Sequence, residues 1–389
     1  MKKKILFING HLNAGGVEQS LVDILCNLDL EKFDIELLLL EGFGDYTKEI
    51  PKQVKVRLFD LHNTYGSVIT SIKKCLILKD WKCLWIRIVF LLTKWLGRDK
   101  LRWISRTIFE NKKYDCVVGF RPGIATELAA YAAPSRMKIS WWHHGEVGMQ
   151  EWEAKEYLNQ CNKIDNVVTV SIGCKNMLLE KFPTLKNKLL VIPNMLDIEK
   201  IKKKADAYTP FQKEKKVIDF VTVGRLSPEK HIENAVYAAE KLRDYGRFSF
   251  RWFIVGDGEM RKSLQELILN KRLEQNVLLV GSKANPYPYM KKSDIFIHTS
   301  YVESQCLVVL EAMSLGVPCV VTESIGPKGF AVNEKNCILV DQNLDSLIHG
   351  IKKILSIENS ISDMVKSGKE TAEMFSKYKV RDRVNKLLE

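Results

Sequence analysis

The chain has 389 residues, enough for two domains of ordinary size that each bury a core. Hydrophobic residues make up 46% and charged residues 28% of the sequence, as in soluble globular proteins, and no apolar run is long enough for a membrane span. The formal net charge of +13 indicates an anionic partner: nucleic acid, an anionic membrane surface or a phosphate-rich substrate. Because no helix-turn-helix, zinc-finger or RNA-binding signature occurs, we expect no nucleic acid.

The beginning of the chain predicts a buried strand instead of a signal peptide, because the apolar stretch 5–8 is short and stops at Asn9. The nine cysteines are scattered, without C-x-x-C or zinc-type spacing, and most lie in apolar runs. We therefore expect a cytoplasmic protein with neither disulfides nor a structural metal.

Short apolar strands alternate with helical patterns, which predicts an α/β protein whose parallel sheets are covered by helices. The strands predicted in the first half are 4–9, 35–40, 54–58, 116–120, 138–143, 166–170 and 189–192. Those predicted in the second half are 219–223, 250–255, 277–280, 295–299, 318–322 and 337–340. Both halves are typical of Rossmann-like domains, which would face a cleft and bind a nucleotide at the carboxyl ends of their strands.

The predicted domains are 1–195 and 217–372. The lysine-rich segment 196–216 is interpreted as a linker. A helix at 373–389 is expected to pack back on the N-terminal domain.

Segment 71–113 interrupts the alternation with a basic, helical insertion that contains four tryptophans. Basic helices with an apolar, tryptophan-bearing face are typical of proteins that lie on an anionic membrane. The alternative is an ordinary helical insertion whose aromatic residues are in the core. We expect membrane association.

The first candidate site is the loop around Gly15 and Gly16, which follows a strand and opens a helix. Glycine lets the backbone approach a ligand, and a helix N-terminus offers unpaired N–H groups to phosphate. A dinucleotide fingerprint fails because Leu12 occupies the place of its second glycine. A plain structural turn is the alternative.

The second candidate site contains Arg225 and Lys230, which also follow a strand. A guanidinium fork and a mobile ammonium could offset the charge that develops on a departing diphosphate. Because no Asp-x-Asp occurs to hold a metal, we expect metal-independent chemistry. Two solvated cations on a loop are the alternative.

The third candidate site pairs two glutamates, Glu303 and Glu311. A helix that opens near Ser304 would direct its first N–H groups at a ligand. One carboxylate could then reach sugar hydroxyls and the other the ribose hydroxyls of one extended ligand.

With these motifs the chain resembles the retaining glycosyltransferases of family four, which have the GT-B fold. The resemblance rests on Gly15–Glu18 (Gly-Gly-Val-Glu), Pro193-Asn194, Gly224-Arg225 with Lys230, 255–258 and the glutamate pair. It implies that the domain 217–372 binds a donor nucleotide, expected to be UDP, without cofactor or metal, and that the domain 1–195 binds the acceptor. The residues it assigns are Arg225 and Lys230 to the diphosphate, Glu303 to the sugar, Glu311 to the ribose, and Gly15, Gly16, Gly256, Cys306 and Leu307 to the rest of the nucleotide site.

The resemblance also implies a cleft histidine at the end of the strand 138–143, where His143 and His144 both qualify. Two departures from the family's pattern lie where the donor sugar would bind. These are Ser304-Gln305-Cys306 after the first motif glutamate and the loop 325–330. They leave the sugar's identity open.

The function we expect is transfer of a sugar, with retention, from a nucleotide diphosphate to a lipid-linked saccharide. The chain would be a bacterial enzyme of surface polysaccharide or capsule synthesis, at the inner face of the cytoplasmic membrane. The alternatives are a GT-B nucleotide-sugar epimerase and a non-catalytic sugar-binding protein. The failed glycine fingerprint disfavours a dehydrogenase.

Overall fold

The computed structural model describes residues 2–13, 15–59, 68–357 and 360–389, with side chains from residue 72 onward in the third range. Ala14, in the first predicted site, lies outside the described residues. The chain divides into two compact units. Unit 1 comprises Met1–Val170, Cys174–Met195 and Val380–Glu389, and unit 2 comprises Ser171–Gly173 and Leu196–Lys379.

Unit 1 contains a seven-stranded parallel sheet in the order β3-β2-β1-β4-β5-β6-β7. Its strands are β1 (Lys3–Asn9), β2 (Phe33–Leu39), β3 (Lys55–Leu58), β4 (Tyr114–Gly119), β5 (Ser135–Trp142), β6 (Asn166–Thr169) and β7 (Leu189–Val191). In the central register Ile5 lies between Ile35 and Cys116, and all three side chains are buried. The inner strands are buried on both faces and have continuous apolar sequences, which made them predictable, whereas the edge strand β3 has no buried residue.

The helices of unit 1 include the predicted insertion, which forms α2 to α4. They are α1 (Gly16–Asn27), α2 (Val68–Ile77), α3 (Trp81–Leu96), α4 (Ser105–Phe109), α5 (Ile124–Tyr131), α6 (Glu151–Asn162) and α7 (Ile172–Lys181). The Asp80 side chain caps α3 by accepting a hydrogen bond from the Cys83 N–H at 3.0 Å. The helix ends before Gly97, whose φ of 90° suits glycine.

Unit 2 contains a six-stranded parallel sheet in the order β10-β9-β8-β11-β12-β13. Its strands are β8 (Val217–Val223), β9 (Ser249–Val255), β10 (Val277–Gly281), β11 (Ile295–His298), β12 (Cys319–Thr322) and β13 (Ile338–Val340). The remaining helices are α8 (Ile198–Ala205), α9 (Glu233–Tyr245), α10 (Arg261–Asn270), α11 (Tyr287–Lys292), α12 (Leu307–Ser314), α13 (Leu344–Ser356), α14 (Ile361–Glu373) and α15 (Lys377–Leu388).

The segment 196–216, interpreted as a linker, is part of folded unit 2 and contains α8. Ile198, Ile201 and Ala205 lie on one face of this helix and are buried. The three consecutive lysines 202–204 obscured this amphipathic pattern, because they dominate the composition of so short a helix.

Each sheet has one point at which the chain reverses its direction of winding, between β1 and β4 in unit 1 and between β8 and β11 in unit 2. Ligands of open α/β sheets bind outside the carboxyl ends of the strands at such a switch point. Gly15 and Gly16 follow β1, and Arg225 and Lys230 follow β8, so the first two predicted sites lie at these edges.

None of the helices in the described part of the chain combines the length and hydropathy that crossing a bilayer requires. All nine cysteines are free thiols, and every one except Cys26 is buried.

Candidate functional site

The loops after β8 and β11 are joined by hydrogen bonds at the carboxyl edge of the unit 2 sheet. The Thr299 hydroxyl donates to the carbonyl of Lys230 at 2.8 Å. The Ser300 hydroxyl and the Tyr301 N–H donate to the carbonyl of Glu229 at 3.1 and 3.2 Å. Because the two strands are neighbours in the sheet, these bonds bring the second and third predicted sites together.

Lys230 and Glu303 form an ion pair in which Nζ lies 2.6 Å from Oε1. Burial alone would raise the pKa of Glu303, but a hydrogen bond from His298 and the charge of Lys230 outweigh burial and lower this pKa to about 2. Burial alone would lower the pKa of Lys230, and Glu303 raises it above its ordinary value. Both groups are therefore charged at neutral pH.

His298, which the sequence analysis missed, is the last residue of β11 and is buried. Its Nε2 lies 3.2 Å from Oε1 of Glu303 and 3.1 Å from Sγ of Cys306. Its backbone carbonyl accepts a hydrogen bond from the Thr322 hydroxyl at 2.8 Å. A histidine that ends a predicted apolar strand shortly before a motif glutamate was the signal that could have identified it.

Helix α12 begins at Leu307 and not near Ser304, which corrects the expectation for the third site. Cys306, the residue that caps the helix, has a φ of 66°, and this left-handed conformation interrupts the helical run. Burial raises the pKa of the Cys306 thiol well above its ordinary value, so it stays protonated. Glu303 therefore lies in the loop that precedes α12, and Glu311 lies about one turn after the start of that helix.

His298, Glu303 and Cys306 also offer a nitrogen, an oxygen and a sulfur atom within 4.8 Å of one another. Zinc accepts such a ligand set. The Lys230 ammonium, however, donates to the same carboxylate oxygen. A metal ion at this position would be repelled by that neighbouring positive charge.

Gly256 keeps the loops after β8 and β9 in close contact. A Cβ at Gly256 would lie 1.8 Å from the carbonyl oxygen of Gly224. The N–H of Leu226 donates to the carbonyl of Asp257 at 3.0 Å in the same contact. The family's glycine is thus required here for backbone packing.

Arg225 and Glu311 do not join the Lys230–Glu303 pair through any contact that the structure describes. Arg225 is exposed and makes no hydrogen bond or ion pair with a described residue. One oxygen of Glu311 accepts a hydrogen bond from the Tyr287 hydroxyl at 3.1 Å. Tyr287, on α11, was not predicted.

The predicted residues of unit 1 lie at the carboxyl edge of its own sheet. Gly15 caps α1 in an extended conformation, and a Cβ there would lie 2.4 Å from a carboxylate oxygen of Glu18. Gly16, the first residue of α1, is exposed, and a Cβ there would meet no described atom within 4 Å. The N-terminus of this helix is open to an anion.

The two candidate histidines follow β5 and differ in their surroundings. The His143 ring is buried, lies 4.6 Å from Phe120, and has no hydrogen-bond partner at Nε2 among the described residues. Burial, followed by the charges of His144 and Arg121, lowers its pKa to about 3, so it is neutral at physiological pH. His144 is exposed, and its pKa is also lowered by desolvation and by Arg121.

Two α/β units with parallel sheets and polar sites at their switch points define the class of protein as GT-B. Solved structures show the same fold. The Rickettsia africae glycosyltransferase aligns with a TM-score of 0.77 at 18% identity, over 100% of this chain and 98% of that one. The Anabaena protein HepE, in complex with UDP and glucose, aligns with a TM-score of 0.73 at 18% identity, over 99% of both chains.

Curated relatives match part of the chain. UDP-Gal:alpha-D-GlcNAc-diphosphoundecaprenol alpha-1,3-galactosyltransferase of Escherichia coli is 31% identical over 43% of this chain and 45% of its own length. N-acetylgalactosamine-N,N'-diacetylbacillosaminyl-diphospho-undecaprenol 4-alpha-N-acetylgalactosaminyltransferase of Campylobacter jejuni is 28% identical over 58% of this chain and 60% of its own. The chain thus spans about half the length of these relatives. Residues 186–371 match the family model described as glycosyl transferases group 1.

Proposed function

We propose that the protein is a retaining glycosyltransferase that transfers a sugar from a UDP-sugar to a lipid-linked saccharide in surface polysaccharide or capsule synthesis. The observation that carries this proposal is the half-buried Lys230–Glu303 pair at the switch point of unit 2. Its ammonium and carboxylate suit a ligand with both phosphate and hydroxyl groups. The family match over residues 186–371 supports the same activity.

In this proposal unit 2 binds the donor. Lys230 and the exposed Arg225 bind the diphosphate and offset its charge as it leaves, without a metal. Glu303 accepts hydrogen bonds from sugar hydroxyls, and Glu311 from the ribose. The nucleotide contacts the backbone of Gly256, Cys306 and Leu307.

Unit 1 binds the acceptor in this proposal, and the N–H groups at Gly15 and Gly16 offer a phosphate site at the start of α1. Of the two histidines we favour His143 as the one that contacts substrate. Its buried Nε2 has no described partner, and a buried polar atom in this state is costly unless a ligand satisfies it. Its low pKa keeps the ring neutral, able to form a hydrogen bond with a sugar hydroxyl.

Retention follows if the acceptor hydroxyl attacks on the face from which the diphosphate departs. The names of the Escherichia coli and Campylobacter jejuni relatives specify alpha-linked products, the outcome of retention from an alpha-linked donor. NMR of the purified product tests this step, and we expect the donor's anomeric configuration. An inverted product, or epimerised donor formed without acceptor, would contradict the proposal.

The acceptor is proposed to be lipid-linked because α3 exposes a stripe of apolar side chains. The members of this apolar stripe are Trp81, Trp85, Ile88, Leu92 and Trp95. Their spacing places them on one helix face. Trp95 is 89% exposed and Trp81 64% exposed, whereas Ile86 and Val89 on the opposite face are fully buried. The tryptophans expected in this insertion are therefore on its surface and not in the core.

Exposed lysines occur in the same segment 73–95 as the apolar stripe, together with three further exposed apolar residues. The lysines are Lys73, Lys74, Lys79, Lys82 and Lys94, and the apolar residues are Leu76, Ile77 and Leu78. An apolar face on a basic segment matches the interface of an anionic bilayer. The proposed location is thus peripheral, at the inner face of the cytoplasmic membrane. The two relatives named above act on diphosphoundecaprenol-linked sugars, which supports such an acceptor.

A further inference from the structure

Resting on the proposed function, we infer that His298 is a positioning residue that orients the Glu303 carboxylate toward the donor sugar. Its Nε2 lies 3.2 Å from Oε1 of Glu303, and the ring is buried behind that carboxylate at the end of β11. His298 lies outside every motif that identified the site. Its role follows from three features: the protonation of the ring, the oxygen that it contacts, and the loop geometry.

The protonation of His298 follows from the two ends of its ring. An ionised carboxylate only accepts hydrogen bonds, so the nitrogen that faces Glu303 must carry a proton. The other nitrogen, Nδ1, is buried and has no hydrogen-bond partner among the described residues. A proton on that atom would be a buried donor without an acceptor, which is costly. Nε2 therefore carries the proton that the Glu303 carboxylate accepts, so His298 acts as a hydrogen-bond donor to this carboxylate.

The contacts of Glu303 divide unequally between its two oxygens. Both Lys230 Nζ, at 2.6 Å, and His298 Nε2, at 3.2 Å, donate a hydrogen bond to Oε1. Within the described part of the chain, no hydrogen bond reaches Oε2. Two donors from different loops thus fix one oxygen and leave the other for a ligand hydroxyl. This arrangement pre-orients the carboxylate, which reduces the cost of ordering it when the sugar binds.

The loop between β11 and α12 fixes the position of the His298 ring relative to Glu303. Cys306 places its sulfur 3.1 Å from the same Nε2, so the ring lies between Glu303 and the residue that caps α12. The N–H of Gly326 donates to the carbonyl of Glu303 at 3.0 Å, which fixes the backbone of this glutamate. With the backbone held, the remaining freedom is rotation of the carboxylate, and His298 restricts that rotation.

The test compares three variants of the full chain. His298→Gln can place an amide N–H near the position of Nε2, whereas His298→Asn is too short to reach Glu303 and His298→Met removes the donor. His349→Gln, an exposed histidine on α13, is the matched control. For each we would measure kcat and KM for the donor sugar, the Kd of UDP alone, and the melting temperature.

We expect His298→Asn and His298→Met to lower kcat/KM roughly 10- to 100-fold, the effect of losing a hydrogen bond to a charged group. UDP affinity should change little, because UDP lacks the sugar that Glu303 contacts. His298→Gln should restore most of the activity. In His298→Met the Glu303 pKa should rise toward its ordinary value, so kcat/KM should decline toward about pH 4 where the wild type remains flat.

Two results would overturn the inference. One is unchanged donor kinetics in His298→Met while Glu303→Gln is inactive. The other is an equal loss of UDP and donor binding in all three variants, which would indicate a structural role. If Glu303→Gln itself retained full activity, the site assignment in the proposed function would fail instead, so the two failures are distinguishable.

Discussion

The Lys230 ammonium lies 2.6 Å from the Glu303 carboxylate, although 73 positions separate the two residues in the chain. Their contact depends on β8 and β11 being neighbours, since each residue lies in the loop that follows one of these strands. Two loops that the sequence presents as separate motifs thus form one site. The site combines a cation for phosphate with a carboxylate for hydroxyl groups.

Variants of the Lys230–Glu303 pair should affect stability and activity differently. Lys230→Met leaves a mostly buried carboxylate without its cation and should destabilise the protein by about 3–5 kcal/mol. The double variant Lys230→Met/Glu303→Gln removes both charges and should regain much of that loss while remaining inactive. Thermal unfolding with an activity assay checks this. A double variant no more stable than Lys230→Met would contradict the ion-pair interpretation.

The buried His143 should make the protein sensitive to acid. Its pKa is about 3 in the folded protein against an ordinary 6.5. The unfolded chain therefore takes up a proton that the folded one does not, and folding loses about 1.4 kcal/mol per pH unit as the pH falls from about 6.5 toward 3. His143→Phe should flatten the decline of melting temperature with acid. His349→Phe, at an exposed histidine of α13, is the control. An unchanged or steeper decline in His143→Phe would contradict the prediction.

The left-handed conformation of Cys306 should restrict which residues fit there. Cys306→Val should destabilise the protein by about 1–2 kcal/mol, because a β-branched side chain disfavours a φ of 66°. Cys306→Gly removes that conformational cost and should fold normally. Cys319→Val is the control, since Cys319 is buried in β12, where valine fits an extended strand. The measurement is the melting temperature of each variant. Equal melting temperatures for Cys306→Val and Cys319→Val would contradict the prediction.

The apolar stripe should bind anionic membranes. Alanine at Trp81, Trp85 and Trp95 together should reduce binding to vesicles of phosphatidylglycerol by roughly 10-fold or more, because these side chains supply the apolar contact. Trp152→Ala removes an equally exposed tryptophan from α6 and is the control. Co-sedimentation at two salt concentrations measures both variants. Undiminished binding of the triple variant would exclude this surface as the membrane contact.

The sequence predicted every strand of both sheets, because buried parallel strands are continuous apolar runs between polar loops. It placed Gly15, Gly16, Arg225 and Lys230 at the correct edges, since strand ends and helix starts carry recognisable residues. These features are local, and local patterns are visible in a single sequence.

What the sequence could not supply depends on contacts between distant segments or on single dihedral angles. The His298 contact with Glu303 and Cys306 requires a loop path that no periodicity encodes. The interruption between Glu303 and α12 depends on one left-handed residue, Cys306, whose dihedral angle no apolar spacing encodes. The different surroundings of His143, which is buried, and His144, which is exposed, could not be predicted from two adjacent, identical residues.

The most direct test of the account is nucleoside diphosphate release from a panel of nucleotide sugars, with and without a bacterial membrane extract that contains lipid-linked saccharides. We predict release from a UDP-sugar that requires the extract and is lost in Glu303→Gln and Lys230→Met, while His349→Gln behaves like the wild type. Release that does not depend on the extract, or that survives in Glu303→Gln, would contradict the claim that this site transfers a sugar to such an acceptor.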